Sequence, residues 1–172
     1  MNEILNNLET RRSVRSYKPE QVSDELLDAV LRAGSYAASG MNNQKAVMVA
    51  VRDPETRDLL SKLNAAVMGS SNDPFYGAPC VIVVLSDPER GTWVEDGSLV
   101  LGNLMNAAHA VGLGSCWIHR AKQVFESPEG KALLRRWGLS EDLVGVGNCI
   151  LGYADEDPAP KPRKEGRIVK IG

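Results

Sequence analysis

Apolar residues recur along this chain in two rhythms, one helical and one strand-like, and their alternation predicts helices interleaved with strands and no internal repeat. Ile4, Leu5 and Leu8 share one helical face. Leu26, Leu27, Val30 and Leu31 share another behind Ser23, an N-cap with Asp24 and Glu25 in the first turn. Ala46, Val47, Met48, Val49, Ala50 and Val51 form a continuous apolar run, the pattern of a strand covered on both faces. Cys80, Val81, Ile82, Val83, Val84 and Leu85 form a second such run, and both strands are expected to be central. Between them Pro54 opens a helix reaching about Val67, and a loop follows over residues 69–74.

From residue 96 to 111, Gly97, Ser98, Gly102, Ala107, Ala108 and Ala110 interleave with Leu99, Leu101, Leu104 and Met105. Small residues let neighbouring backbones approach, so this helix is expected to be central and covered on several sides, including a subunit contact. Gly112 and Gly114 stop it, and residues 115–118 read as a short strand. Ser127, Pro128 and Glu129 open another helix, and residues 144–151 supply a fourth strand. Pro158, Pro160 and Pro162 forbid a helix near the end. Residues 155–172 therefore read as an extended arm that finishes in a strand-like alternation, Arg167-Ile168-Val169-Lys170-Ile171, and lies on a partner subunit.

The chain has 172 residues, 43% apolar and 24% charged, which suits one domain spanning residues 1–172 with a substantial core. No apolar run has the length of a membrane span, and residues 1–9 are amphipathic and acidic, so a cytoplasmic protein with no membrane partner is expected. Cys80, Cys116 and Cys149 are odd in number, widely spaced and set in apolar stretches, which predicts buried thiols rather than disulfides or a metal site.

Charge changes the picture locally. The formal net charge is only -2, yet Arg11-Arg12-Ser13-Val14-Arg15 near the start is answered by Lys161-Pro162-Arg163-Lys164 near the end. A planar guanidinium fork, a hydroxyl and an ammonium together suit the oxygens of a small dianion such as phosphate. At about 1.5–3 kcal/mol for each hydrogen bond to a charged group, a few contacts would hold such a ligand. The other reading is an ordinary solvated charged face.

Arg11-Arg12-Ser13-Val14-Arg15-Ser16-Tyr17, then Ala37-Ala38-Ser39-Gly40-Met41-Asn42-Asn43-Gln44, resembles the nitroreductase family of flavoenzymes. So do Gly112-Leu113-Gly114-Ser115-Cys116-Trp117-Ile118 and the closing stretch from Gly152-Tyr153 to Lys161-Pro162-Arg163-Lys164. The motifs stand in the family's order over nearly the whole chain. The resemblance implies an α+β fold of three layers, with a central mixed, mostly antiparallel sheet flanked by helices, and a C-terminal arm extending onto the partner of a homodimer.

It also implies FMN in a groove between two subunits. Arg11, Arg12, Ser13 and Arg15 would take the phosphate, with Lys161 and Arg163 or Lys164 closing the site. Alternatively, Arg15 would face the pyrimidine edge, where a cation favours the reduced flavin. Ser39, Gly40, Met41 and Asn43 would reach the flavin from the other subunit, Asn43 through its side chain. Relatives often carry proline and tryptophan after Gln44, where this chain has Lys45 and Ala46. Cys116, Trp117 and Ile118 would run beneath the ring and offer backbone groups, so Cys116 needs no redox role.

The implied activity is transfer from NADH or NADPH through the flavin to a nitroaromatic or quinone-type acceptor, ping-pong, with no side chain acting as acid or base. Two alternatives stand beside it. One is a flavin-binding or specialised member, such as a dehalogenase, with little nicotinamide turnover. The other is a nucleic-acid module gripping through residues 11–18, which a sequence pI near 5.7 opposes. His109 is expected to be structural and Asn64 an exposed helix residue. His119 and Arg120 either line the substrate mouth or belong to a solvated loop.

Overall fold

The computed structural model describes residues 2–89 and 91–172; Met1, the first residue of the acidic N-terminal stretch, lies outside them. The chain runs α1 (Glu3–Thr10), α2 (Asp24–Ser35), β1 (Val47–Val51), α3 (Pro54–Val67), β2 (Cys80–Ser86), α4 (Trp93–Ala110), β3 (Gly114–Ile118), α5 (Ala121–Glu126), α6 (Pro128–Arg136) and β4 (Val144–Gly152). Local chemistry fixes the helix starts. The Asn2 side chain accepts from Ile4 N at 2.9 Å, that of Asp53 from Thr56 N at 2.8 Å, and the Ser127 hydroxyl from Gly130 N at 3.1 Å. Pro54 and Pro128 sit just inside α3 and α6, where a missing N–H costs nothing.

The strands form one sheet in the order β1-β2-β4-β3, every pair antiparallel. All seven residues of β2 are buried, as expected of a strand sandwiched between helices. Its odd-numbered side chains, with those of Cys116, Ile118 and Ile150, pack under α3, α5 and α6. Ile82, Val84, Cys149 and Leu151 meet α2 and α4 on the other face. The result is a three-layered α+β fold. The small residues of α4 serve as expected: a Cβ added at Gly97 would lie 2.5 Å from Val146 Cγ2, so the glycine lets the helix settle onto β4.

Three expectations are corrected. β1 is an edge strand, not a central one, and most of it is only half-buried: its side chains reach both core faces, but only β2 pairs with it and its other side is left at the margin. Residues 167–171 form no strand; the arm is exposed throughout this stretch and finds no pairing edge in its own chain. A short helix, α5, precedes α6 and was not anticipated: its six residues are too few to show a helical period. The helix cap at Ser127 separates the two.

The sheet gains an irregular margin beyond β3. Ser13 bridges Ser115 in parallel, and Tyr17 bridges Ala154 antiparallel. Residues 13–18 are thus laced between β3 and the chain leaving β4, which gives the sheet its mixed character.

Candidate functional site

Five bonds hold residues 13–18 in place. Val14 N donates to Ser115 O at 3.0 Å, Lys18 N to Tyr153 O at 2.9 Å, and Asp155 N to Ser16 O at 2.9 Å. The Tyr17 hydroxyl donates to Val14 O at 2.7 Å, and Arg15 N donates to the Glu156 carboxylate. Gly114 permits the closeness: a Cβ there would lie 3.0 Å from Val14 Cγ1. Segments 141 residues apart in sequence, at Arg15 and Glu156, therefore meet on the outer side of β3.

Where they meet, a cleft of about 280 Å³ opens, walled by Arg11, Arg12, His109, Ser115, Glu156 and Pro158 among others. Arg12 spends one amino group on Glu9 O at 2.7 Å and on Arg11 O at 2.8 Å. Its Nε, and Nη1 of Arg11, are buried and have no hydrogen-bond partner. A buried donor left unpaired costs about 1–3 kcal/mol, more when it is charged. Two such donors beside one cleft fit an anion, and a phosphate supplies the acceptors they lack. Ser13 is half-buried beside Ser115 at this margin, though it does not line the cleft itself.

A second, wider cleft of about 450 Å³ continues along β3, with Arg15, Tyr76, Cys116, Trp117, His119 and Arg120 in its wall. Trp117 stands 48% exposed, whereas Cys116 and Ile118 point into the core. Cys80 and Cys149 are buried as well, and burial pushes the Cys80 thiol up to about 12. One wall of this cleft is the loop 70–77, organised by Asp73. Burial pushes its carboxyl up, but the Ser61 hydroxyl at 2.6 Å, Arg57 at 2.7 Å and the N–H groups of Gly77 and Phe75 outweigh this and hold it below the usual value.

Asn64 corrects an expectation: it is buried, not exposed. It lies on the inward face of α3 with Leu60, Ser61 and Ala65. Its amide donates to His119 O at 2.8 Å and its carbonyl accepts from Arg120 Nε at 3.3 Å. These bonds pin a turn in which Arg120 adopts the left-handed conformation, φ 76°. His119 and Arg120 therefore belong to the cleft wall rather than to a free loop.

The loop holding Ser39, Gly40, Met41 and Asn43 lies elsewhere. It precedes β1, at the sheet edge opposite β3, and no residue of it lines either cleft. Met41, Asn42 and Gln44 all have φ between 53° and 55°, a conformation costly for side-chain-bearing residues. The buried carboxylate of Asp96 on α4 secures it, accepting from Gly40 N at 2.8 Å and from the Thr92 hydroxyl at 3.1 Å. Asn43 is engaged within the loop, donating to Gly40 O and accepting from Lys45 N at 3.1 Å. Met41 is left 91% exposed at the apex. Lys161, Arg163 and Lys164 are exposed and line neither cleft; of the arm, the wall takes only Glu156, Asp157 and Pro158 beyond Ala154.

Sequence reasoning did not single out Asp96 or Glu156, and took Ser115 only as part of the motif on β3. The available signal for Asp96 was an acid inside a helix of small apolar residues; Glu156 carried none.

Three layers around an antiparallel sheet, with an anion-receptive cleft and an open cleft side by side on one outer strand, define the class: an α+β protein with its site at a sheet edge. A profile of the Nitroreductase family matches residues 8–74 and 68–153. A protein of Archaeoglobus fulgidus, provisionally named an NADH dehydrogenase/NAD(P)H nitroreductase, is 34% identical over 91% of this chain and 88% of its own. The chain belongs to the nitroreductase family. The Bacillus subtilis FMN reductase (NAD(P)H) is 26% identical over 95% of this chain and 70% of its own. A Bacteroides fragilis nitroreductase crystallised with bound FMN is 28% identical, covers 100% of both chains and superposes with a TM-score of 0.92.

If Asp96 secures the loop, Asp96→Ala leaves Gly40 N and the Thr92 hydroxyl without their acceptor. We expect a loss of about 1–3 kcal/mol in urea unfolding. Hydrogen exchange should rise selectively at residues 40–45; unchanged protection there would refute the role.

Proposed function

We propose that this protein is an FMN-dependent oxidoreductase that moves reducing equivalents from NADH or NADPH to a nitroaromatic or quinone-type acceptor, working as a homodimer. The observation that carries the reading is the pair of buried, unpartnered guanidinium donors of Arg11 and Arg12 beside the cleft on β3. Family membership and relatives that bind FMN or use NAD(P)H support it. FMN, when bound, supplies the hydride and electron chemistry; the protein's part is binding, orientation and electrostatics.

Arg11 and Arg12 hold the phosphate, with Ser13 at the same margin. Arg15 lies in the wall of the wider cleft beside Trp117, where its charge suits an electron-rich ring edge. The backbone of Cys116, Trp117 and Ile118 floors that cleft. The wider cleft is open, so nicotinamide and acceptor occupy it in turn, a ping-pong sequence, and a broad acceptor range follows.

The homodimer supplies what one chain keeps apart. The loop with Ser39, Gly40, Met41 and Asn43 stands at the edge opposite the clefts, and a twofold axis would lay it over the partner's wider cleft. Ile4, Leu5 and Leu8 on α1 are 71%, 53% and 51% exposed, an apolar stripe that a second subunit would cover. The arm crosses to the partner and brings Lys161, Arg163 and Lys164 to its phosphate.

Arg11→Ala with Ser13→Ala should weaken FMN binding by about 10- to 100-fold, following about 1.5–3 kcal/mol per charged hydrogen bond. Flavin fluorescence titration measures it, with circular dichroism unchanged; retention of FMN at native affinity would refute the phosphate assignment. Truncation after Pro158 should lower both dimer stability in sedimentation and FMN affinity. A dimer with undiminished FMN would remove the arm from the site. For the activity itself, NADH or NADPH should bleach the flavin absorbance under anaerobic conditions, and initial rates with a quinone should give parallel double-reciprocal lines. Flavin that stays oxidised with both nucleotides would instead indicate a flavin-binding member without nicotinamide turnover.

A further inference from the structure

One wall of the anion cleft is a histidine to which the function above gives no part. His109 stands in the last turn of α4, with its ring in the same cleft as Arg11 and Arg12. Its Nε2 lies 2.8 Å from the Thr10 hydroxyl. That hydroxyl has one hydrogen, and it is given to Asn6 O at 2.7 Å. Thr10 Oγ1 must therefore accept from His109, which places the ring's proton on Nε2 and leaves Nδ1 as the site where a second proton is added.

The surroundings are balanced between the two charge states. The end of a helix favours a cation, and the carboxylates of Glu3 on α1 and of Glu156 and Asp157 in the arm share the neighbouring walls. Burial, followed by the positive charges of Arg11 and Arg12, nevertheless holds His109 below the usual imidazole value. Both guanidiniums are the groups that a phosphate would neutralise. Once they are compensated, their share of the depression is lifted; burial still disfavours the charged ring, but the phosphate's own negative charge in the same cleft draws a proton to it.

We propose that His109 is a proton-linked residue of the anion cleft, taking up a proton as a phosphorylated cofactor fills it, so that the contribution of His109 to FMN binding falls as pH rises through its titration. This rests on the reading of the cleft as the phosphate site. The sign follows from linkage. The free protein has the lower imidazole pKa and the FMN complex the higher, so binding takes up a proton between them. Affinity is greatest below the lower value, declines between the two, and levels off above the upper one. A phosphate ester has its own second ionisation near 6, which strengthens binding as pH rises, so His109 is isolated by comparison with a variant that shares this term.

His109→Gln keeps an N–H for Thr10 but cannot titrate. The ratio of the FMN dissociation constants of variant and wild type should be largest at the acid end of the titration, approaching about tenfold for one pKa unit of coupling, and fall to a constant value at alkaline pH. Calorimetry near pH 6.5 in buffers of different ionisation enthalpy should show more proton uptake by wild type than by the variant. Riboflavin, which lacks the phosphate, should show neither difference. NMR titration of the intact wild type supplies a measurement that needs no variant. The chain has 2 histidines, and the His109 ring should titrate at higher pH with FMN than without. Equal proton uptake, a pH-independent ratio, or a His109 titration unmoved by FMN would overturn the proposal while leaving the phosphate site intact. Equal affinity for FMN and riboflavin, together with an Arg11→Ala variant of native affinity, would sink the phosphate site and this inference together.

Discussion

Main-chain pairing of residues 13–18 is the constraint from which the site follows. An arginine-rich stretch left to itself would be a solvated strand of like charges, its guanidiniums spread apart by repulsion and water. Here Val14 N on one side and Lys18 N on the other fix the stretch between β3 and the chain that leaves β4. Once the backbone is committed, the Arg11 and Arg12 side chains are turned under it, where the ends of α1 and α4 and the root of the arm close around them. The hydrogen bonds that do this are ordinary, worth about 0.5–1.5 kcal/mol each, but they oblige buried cationic donors to go unpaired. A cost of that kind persists where the surrounding structure over-determines it, and a ligand that meets the donors removes it. Ligand binding and fold stability are then coupled: whatever anion satisfies Arg11 and Arg12 also stabilises the lacing of the two distant segments.

The second organising fact is that the chain's strained and exposed features gather at opposite ends of a short sheet. The clefts lie beyond β3, while the loop with three left-handed side-chain-bearing residues lies before β1, held by Asp96. Strain maintained by a buried carboxylate has a use only if the apex is presented to something, and within its own chain Met41 faces outward. A twofold arrangement answers this economically, because one interface would pair each loop with the other subunit's cleft.

Much of the fold was legible because the relevant signals are local. β2 announces itself as an unbroken apolar run, α3 and α6 by a capping Asp53 or Ser127 followed by proline, and the arginine motif by its contrast with a nearly neutral chain. What was not legible depends on partners distant in sequence. The apolar run of β1 reads as a central strand because periodicity reports side-chain character, not how many strands pair with it. Asn64 and Asp96 are polar residues whose burial makes sense only once His119 O or Gly40 N stands opposite. The alternation over residues 167–171 has the composition of a strand but no pairing edge in its own chain, and hydrogen bonding, not composition, makes a strand.

The arm's own stiffness bears on where its cations belong. Pro158 is already in the wall of the anion cleft, and prolines at 160 and 162 keep the backbone extended. At about 3.1 Å per residue for such a chain, the stretch from Pro158 to Arg163 covers about 15 Å. An extended arm of that reach carries the basic cluster past its own cleft, and a fold back would need a sharp reversal where alternate prolines resist one. In the homodimer proposed above, an arm extended in this way would carry Lys161, Arg163 and Lys164 toward the phosphate of the second subunit, whose oxygens outnumber the donors that Arg11 and Arg12 leave free.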